Sequence, residues 1–331
     1  MRELKIAIVV VLFSLLTYWL VEPYAHSQMH KHVESHGFVY DGTADVEECA
    51  ASVEKCKAMG ISTDKASARE SAKKVFWSEV VTISKLKGNA SAGEAGFGMC
   101  MGCHNGANMN MGGVIPPNLD HAGAIYDKNY LIALIKDPAM ASNVDHKYAD
   151  TMMHPMGSIK TMFTDNQSIA DVVAYLLEKK AGEVTPKEAF SEACVRCHAV
   201  RYGKLTQLGD TPKFKYEKDR LAYKIKVIDE QDAVKAYMGK LPPDLSMMIR
   251  ARSEHFMETF VENPQSQLLG TSMPRVGLNH EGFEKVKAYL EEVGDPSKPK
   301  REAVGPLVLG FFFIFTILAF LWKRSQWRDL H

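Results

Sequence analysis

The sequence predicts a mostly α-helical chain, with two copies of one small helical domain in tandem, flanked by an N-terminal and a C-terminal transmembrane helix. Three observations predict this. Long apolar runs stand at both ends of the 331 residues, two internal segments repeat one order of motifs, and little between them alternates with period two. The chain is long enough for two domains. Its 40 basic residues are matched by 40 acidic ones, which excludes a nucleic-acid partner held by phosphate neutralisation.

The first run, Ile6 to Val21, follows Arg2 and Lys5 and is a signal peptide or an uncleaved anchor. No small-x-small cleavage site follows it, because Pro23 stands two residues before Ala25, so residues 1–24 are expected to be an anchor. Residues 25–90 form a polar segment, expected outside the membrane, with one amphipathic helix. In that helix Val75, Phe76, Val80, Ile83 and Leu86 recur at helical spacing. His26, His30, His32 and His36 lie just outside the span. No carboxylate or cysteine completes a metal set there, so an interfacial or subunit-contact role is expected. Cys49 and Cys56 sit in a segment that looks helical. Seven residues of helix would separate them by ~10 Å, so either the helix breaks and a disulfide forms, as an exported chain favours, or the thiols stay apart.

Residues 91–182 and 183–298 are the two copies. In the first, "AGEAGFGMCMGCH" leads through a loop and a methionine cluster to "SIADVVAYLLEKK"; in the second, "PKEAFSEACVRCH" leads through a long polar insertion to "SMPRVGL" and "EGFEKVKAYLEEVG". The final helices carry apolar stripes, Ile169, Val172, Val173 and Leu176 in one and Phe283, Val286 and Leu290 in the other, and Gly294 is expected to stop the last. Residues 303–323 form the second span, wholly uncharged from Val304 to Trp322 and near the roughly 20 residues that cross a bilayer, and 324–331 form a tail. Lys323, Arg324 and Arg328, with Arg2 and Lys5, place both termini in the cytoplasm. Lys298, Lys300 and Arg301 on the opposite flank are outweighed by a long translocated domain.

Cys100, Cys103 and His104 form C-x-x-C-H, and Cys194, Cys197 and His198 form it again. On a helical turn, residues three apart share a face, so two thiols reach the vinyl groups of one haem while the next histidine meets its iron. Zinc needs four closed ligands and gives no reason for a histidine directly after each second cysteine. The expectation is two covalently bound haem c groups, with His104 and His198 as iron ligands. Haem attachment occurs outside the bacterial inner membrane, which puts these domains in the periplasm.

The repeats resemble class I cytochromes c. That resemblance implies a methionine as the second axial ligand ahead of each last helix: Met273 in the second repeat, rather than His255 or His280. In the first it favours Met156, with Met152, Met153, Met162 and His154 left as alternatives. It also implies that Gly93 and Phe97 cross the helix of Tyr175, and that Phe190 meets Tyr289.

From Cys194 onward, "LPPDLSMMIRARS" and the tail "KRSQWRDLH" resemble cytochrome c1, and the pair of motifs resembles the di-haem c subunit of bacterial bc1 complexes. The prolines are expected to fix an extended approach and Asp244 to cap the next helix. By resemblance, Arg252 meets a haem propionate. The implied role is electron transfer within a quinol:cytochrome c oxidoreductase, with no substrate chemistry on this chain alone. The implied partners are a cytochrome b subunit, a Rieske iron-sulfur protein and a soluble cytochrome c or terminal oxidase, in a dimeric complex. Two other readings are the di-haem subunit of a cbb3-type oxidase, anchored on its N-terminal side, and a di-haem peroxidase, which needs a displaceable iron ligand.

Overall fold

A computed structural model describes residues 2–29, 34–43, 63–106, 114–179 and 183–328. Cys49, Cys56, His30 and His32 lie outside the described residues.

Helix α1 (Arg2–Leu16) passes through a π-helical turn, Thr17–Val21, into α2 (Glu22–Met29). Within it, Leu4–Ala25 is long and apolar enough to cross a membrane and is not buried against the rest of the chain. The same holds for the last helix, described below.

Helix α3 (Thr63–Ser84) packs on the first repeat, but through a face shifted from the expected one. Phe76, Val80 and Ile83 are buried as expected, whereas Val75 points to solvent and Leu86 is exposed; Trp77 and Lys73 take their places. The reason is the 3.6-residue period, which aligns positions 73, 76–77, 80 and 83 and leaves 75 on the far side.

The first repeat contains α4 (Ala90–Phe97), α5 (Ala122–Ile125), α6 (Lys128–Lys136), α7 (Pro138–Ala141), α8 (Ile159–Met162) and α9 (Asn166–Glu178). Asn89 caps α4 by accepting from the Ser91 and Ala92 N–H groups, and Asp165 caps α9 by accepting from Ser168. The two capped helices form the most extensive helix pair in the chain. Gly93 allows it, because a Cβ there would lie 2.0 Å from the Asp171 carbonyl oxygen. Beside that contact the Phe97 and Tyr175 rings stand 5.2 Å apart. All four stripe residues of α9 are buried, each worth roughly 1.5–3 kcal/mol.

The second repeat contains α10 (Pro186–Ala193), a hairpin of β1 (Leu205–Thr206) and β2 (Gly209–Asp210), the inserted α11 (Glu217–Met238), α12 (Met248–Ala251), α13 (Glu254–Glu262), α14 (Pro264–Gln267) and α15 (His280–Gly294). Thr185 and Glu188 form a capping box on α10 with Pro186 in its first turn, and Asn279 caps α15. Helices α10 and α15 pair as α4 and α9 do, with Phe190 and Tyr289 rings 5.0 Å apart. Gly294 ends α15 without a left-handed backbone. It is needed for a close approach, since a Cβ there would meet the Ser246 carbonyl oxygen at 2.5 Å.

The halves share one continuous core. The Asp127 N–H donates to the Gly277 carbonyl at 3.0 Å, the Asn279 N–H to Ile125 at 2.9 Å, and the Tyr130 hydroxyl to the Arg275 carbonyl at 2.8 Å. Residues 36–40 strap the second repeat. The Phe38 and His36 N–H groups donate to the buried Glu262 carboxylate at 2.6 and 2.9 Å, and Tyr40 Oη donates to the Leu278 carbonyl at 3.0 Å. Helix α16 (Lys298–Gln326) then leaves the core as the second helix able to cross a membrane.

Candidate haem sites

Helix α4 ends just before a 3-10 turn, Cys100–Gly102, in which the His104 N–H donates to the Cys100 carbonyl at 2.9 Å. That turn sets the two thiols and the imidazole on the wall of one cavity, lined also by Ile115, Leu119, Leu131, Ile135, Val172 and Leu176. His104 Nδ1 lies 2.7 Å from the Pro117 carbonyl oxygen and so carries the proton it donates, leaving Nε2 unprotonated in the neutral ring. Burial lowers the imidazole pKa, which keeps it in the neutral, ligating form. Burial also raises the Cys100 pKa, and none of the four motif cysteines is in a disulfide. Thiols, a presented imidazole nitrogen and apolar walls fit a covalently attached haem.

Of the four candidate methionines, Met156 and Met162 line this cavity and Met152 and Met153 do not. Met153 is 67% exposed and Met162 52%, whereas Met156 is half-buried. His154 is also in the wall, but its Nδ1 accepts the Met156 N–H at 3.0 Å, which places the ring proton on Nε2. Burial pushes its pKa down to about 4. Of the candidate methionines, Met156 alone combines a place in the cavity wall with partial burial.

The second motif is built alike. Cys194 follows α10, the His198 N–H donates to the Cys194 carbonyl at 2.9 Å, and His198 Nδ1 lies 2.8 Å from the Pro243 carbonyl oxygen. Burial again lowers the imidazole pKa, with the Pro243 carbonyl acting in the opposite sense.

This explains the stretch around Pro242 and Pro243. Proline lacks a backbone N–H, and the loop is pinned at the residues that follow Pro243. The Leu245 N–H donates to Ala199 at 2.9 Å, and the Asp244 carboxylate accepts the Arg201 and Ser246 N–H groups at 3.0 Å each. Asp244 is therefore not a helix cap. The residue preceding α12 is Met247, which makes no side-chain cap, and Asp244 instead holds the loop that carries the histidine's partner. Arg250 approaches Asp295 at 4.0 Å, and Asp295 pairs with Arg301 at the root of α16 at 2.6 Å.

Arg252 is exposed, its guanidinium 5.0 Å above the Phe256 ring. Met273 is half-buried in the loop before α15, its N–H donating to Thr271 Oγ1 at 3.2 Å. It does not line the first cavity, although Pro274 and Val276 do.

Three site roles escape the sequence reading: the histidine-binding carbonyls of Pro117 and Pro243, and Arg196 in the first cavity's wall. The first two had a signal, since "PPNL" at 116–119 and "PPDL" at 242–245 are one motif. Arg196 and Cys197 of the second motif line the first cavity together with His104, so the second motif forms part of that cavity's wall.

A family model described as cytochrome c matches residues 90–180. The chain is 23% identical over 190 residues to the ammonia monooxygenase gamma subunit of Nitrosomonas europaea, covering 44% of this chain and 81% of that protein. It is 22% identical over 204 residues to cytochrome c1 of Allochromatium vinosum, covering 43% of this chain and 82% of that protein. A chain of the solved structure titled "Hyperthermophilic respiratory Complex III" matches with 25% identity and a TM-score of 0.35, over 44% of this chain and 75% of that one. Residues 90–180 are thus a cytochrome c domain, which implies covalently bound haem c, within a chain that has weak similarity to cytochrome c1.

Proposed function

We propose that this chain is the membrane-anchored, di-haem electron-transfer subunit of a quinol:cytochrome c oxidoreductase of bc1 type. The observation that carries the di-haem reading is the duplicated presentation of His104 and His198, each on a prolyl carbonyl within P-P-[N/D]-L. The bc1 assignment is supported by "LPPDLS", by the relative named cytochrome c1, and by the helix that follows α15.

Haem, when bound, supplies a one-electron iron couple. The protein's part is to fix it and set its potential. Cys100 with Cys103, and Cys194 with Cys197, would hold the two groups; His104 and His198 would be proximal ligands with the tautomer set by Pro117 and Pro243. Met156 and Met273 are the proposed distal thioethers, which favour the reduced state. Arg252 is the proposed propionate partner in the second site. The chain would take electrons from a Rieske protein beside a cytochrome b subunit and pass them to a soluble cytochrome c or oxidase, in a dimeric complex. Both termini would be cytoplasmic and the haem domains periplasmic, at a bacterial inner membrane.

A peroxidase reading needs an open or displaceable ligand, and Met156 in the cavity wall disfavours it. Gentle detergent extraction and identification of co-purifying chains tests the assignment. Recovery with a cytochrome b and a Rieske protein is expected; recovery with a copper-haem oxidase core and no cytochrome b would transfer it to the cbb3-type reading.

A further inference from the structure

We infer that Arg196, lying between the two cysteines of the second motif, binds a propionate of the haem held at the first motif. Among the side chains that line the first cavity, Arg196 is the only one with a permanent charge, and no carboxylate stands beside it there. It is half-buried and makes no hydrogen bond or ion pair among the described residues. Glu192, on the helix before it, has one carboxylate oxygen on the His121 imidazole. The hydroxyl of Tyr130, on the same wall, donates to the Arg275 carbonyl at 2.8 Å.

An unpaired cation in an apolar wall is unfavourable unless an anion arrives with the ligand. Haem brings two ionised carboxylates, and a guanidinium fork matches a carboxylate in bidentate geometry. One side chain of the second motif thereby serves the haem of the first and couples the two sites electrostatically. The inference rests on haem c at Cys100 and Cys103, and is independent of the partner subunits.

The test is an optical redox titration of the full-length protein in a Cys100→Ala background. There the first haem keeps one vinyl group conjugated, and its visible band moves to longer wavelength, so it is followed separately. Reduction adds negative charge beside the cation. Arg196→Gln is therefore expected to shift the labelled haem's reduction equilibrium about threefold to tenfold towards the oxidised form, or ~30 to ~60 mV, with its spin state unchanged. Arg196→Lys, a single-point donor, should give a smaller fall. A labelled haem whose potential does not move, whether or not the other haem's does, overturns the inference. If Arg196→Gln does not load haem, the propionate bending mode in resonance Raman decides: a shift at the labelled haem between wild type and Arg196→Lys supports the inference, and no change overturns it. Absence of haem from the first motif of the wild-type protein would instead fail the cytochrome reading itself.

Discussion

His198 Nδ1 lies 2.8 Å from the Pro243 carbonyl oxygen, a relationship that His104 and Pro117 repeat at 2.7 Å. In both cases a backbone carbonyl selects the tautomer and turns Nε2 outward, so the residue that fixes the ligand's chemistry is identified by its main chain rather than its side chain.

The loop bearing Pro243 depends on Asp244, which accepts two backbone N–H groups. Asp244→Ala leaves both donors without that partner and should lower stability by roughly 1–3 kcal/mol. Asp244→Asn keeps one acceptor oxygen and should lose less. Denaturant unfolding of the haem-loaded protein measures both.

Gly93→Ala places a methyl group on the Asp171 carbonyl oxygen, and neither backbone can step aside without parting α4 from α9. A loss of roughly 1–3 kcal/mol is expected, with a rise in high-spin signal from the first haem as its cavity opens. An unchanged unfolding midpoint would place the helices farther apart than described here.

Met156→Leu and Met273→Leu should each lower one haem potential by on the order of 100 mV and change the spin state of that haem alone. Arg252→Gln should lower the second haem's potential by some tens of millivolts, about the size a solvent-screened charge at ~8 Å provides. Redox titration with electronic absorption measures all three. If Arg252→Gln changes neither potential, the arginine is only the surface cation on Phe256.

His146 is pushed down to about 4 by burial, and its Nδ1 has no hydrogen-bond partner. Its folded pKa lies below the unfolded value, so the unfolded chain binds a proton first as pH falls. This group's contribution is full above about pH 6.5 and is lost between there and about pH 4. His146→Gln should shrink the drop in thermal midpoint between neutral pH and pH 4.5. An identical drop in the variant would remove His146 as its cause.

The helix faces of α9 and α15 are legible in the sequence because a 3.6-residue stripe survives any packing partner, and all seven stripe residues are buried. The face of α3 is less so, because Trp77 and Val75 flank Phe76 and only tertiary contact with Gly42 and the first repeat selects the tryptophan. The carbonyl partners of the histidines are hidden for another reason. Pro117 follows its histidine by 13 residues and Pro243 by 45, since the hairpin and α11 intervene, so no fixed spacing announces them. Arg196 reads as an ordinary exposed charge until the fold sets the second motif against the first cavity.

If both C-x-x-C-H motifs hold haem, the number of haems per chain reveals it. An alkaline pyridine haemochrome assay on the full chain, with intact mass measured on the same sample, should give two covalently bound haems. Replacing Cys194 and Cys197 by alanine should leave one, still bound through Cys100 and Cys103. One haem per wild-type chain, or haem extractable by acid acetone, would contradict the account.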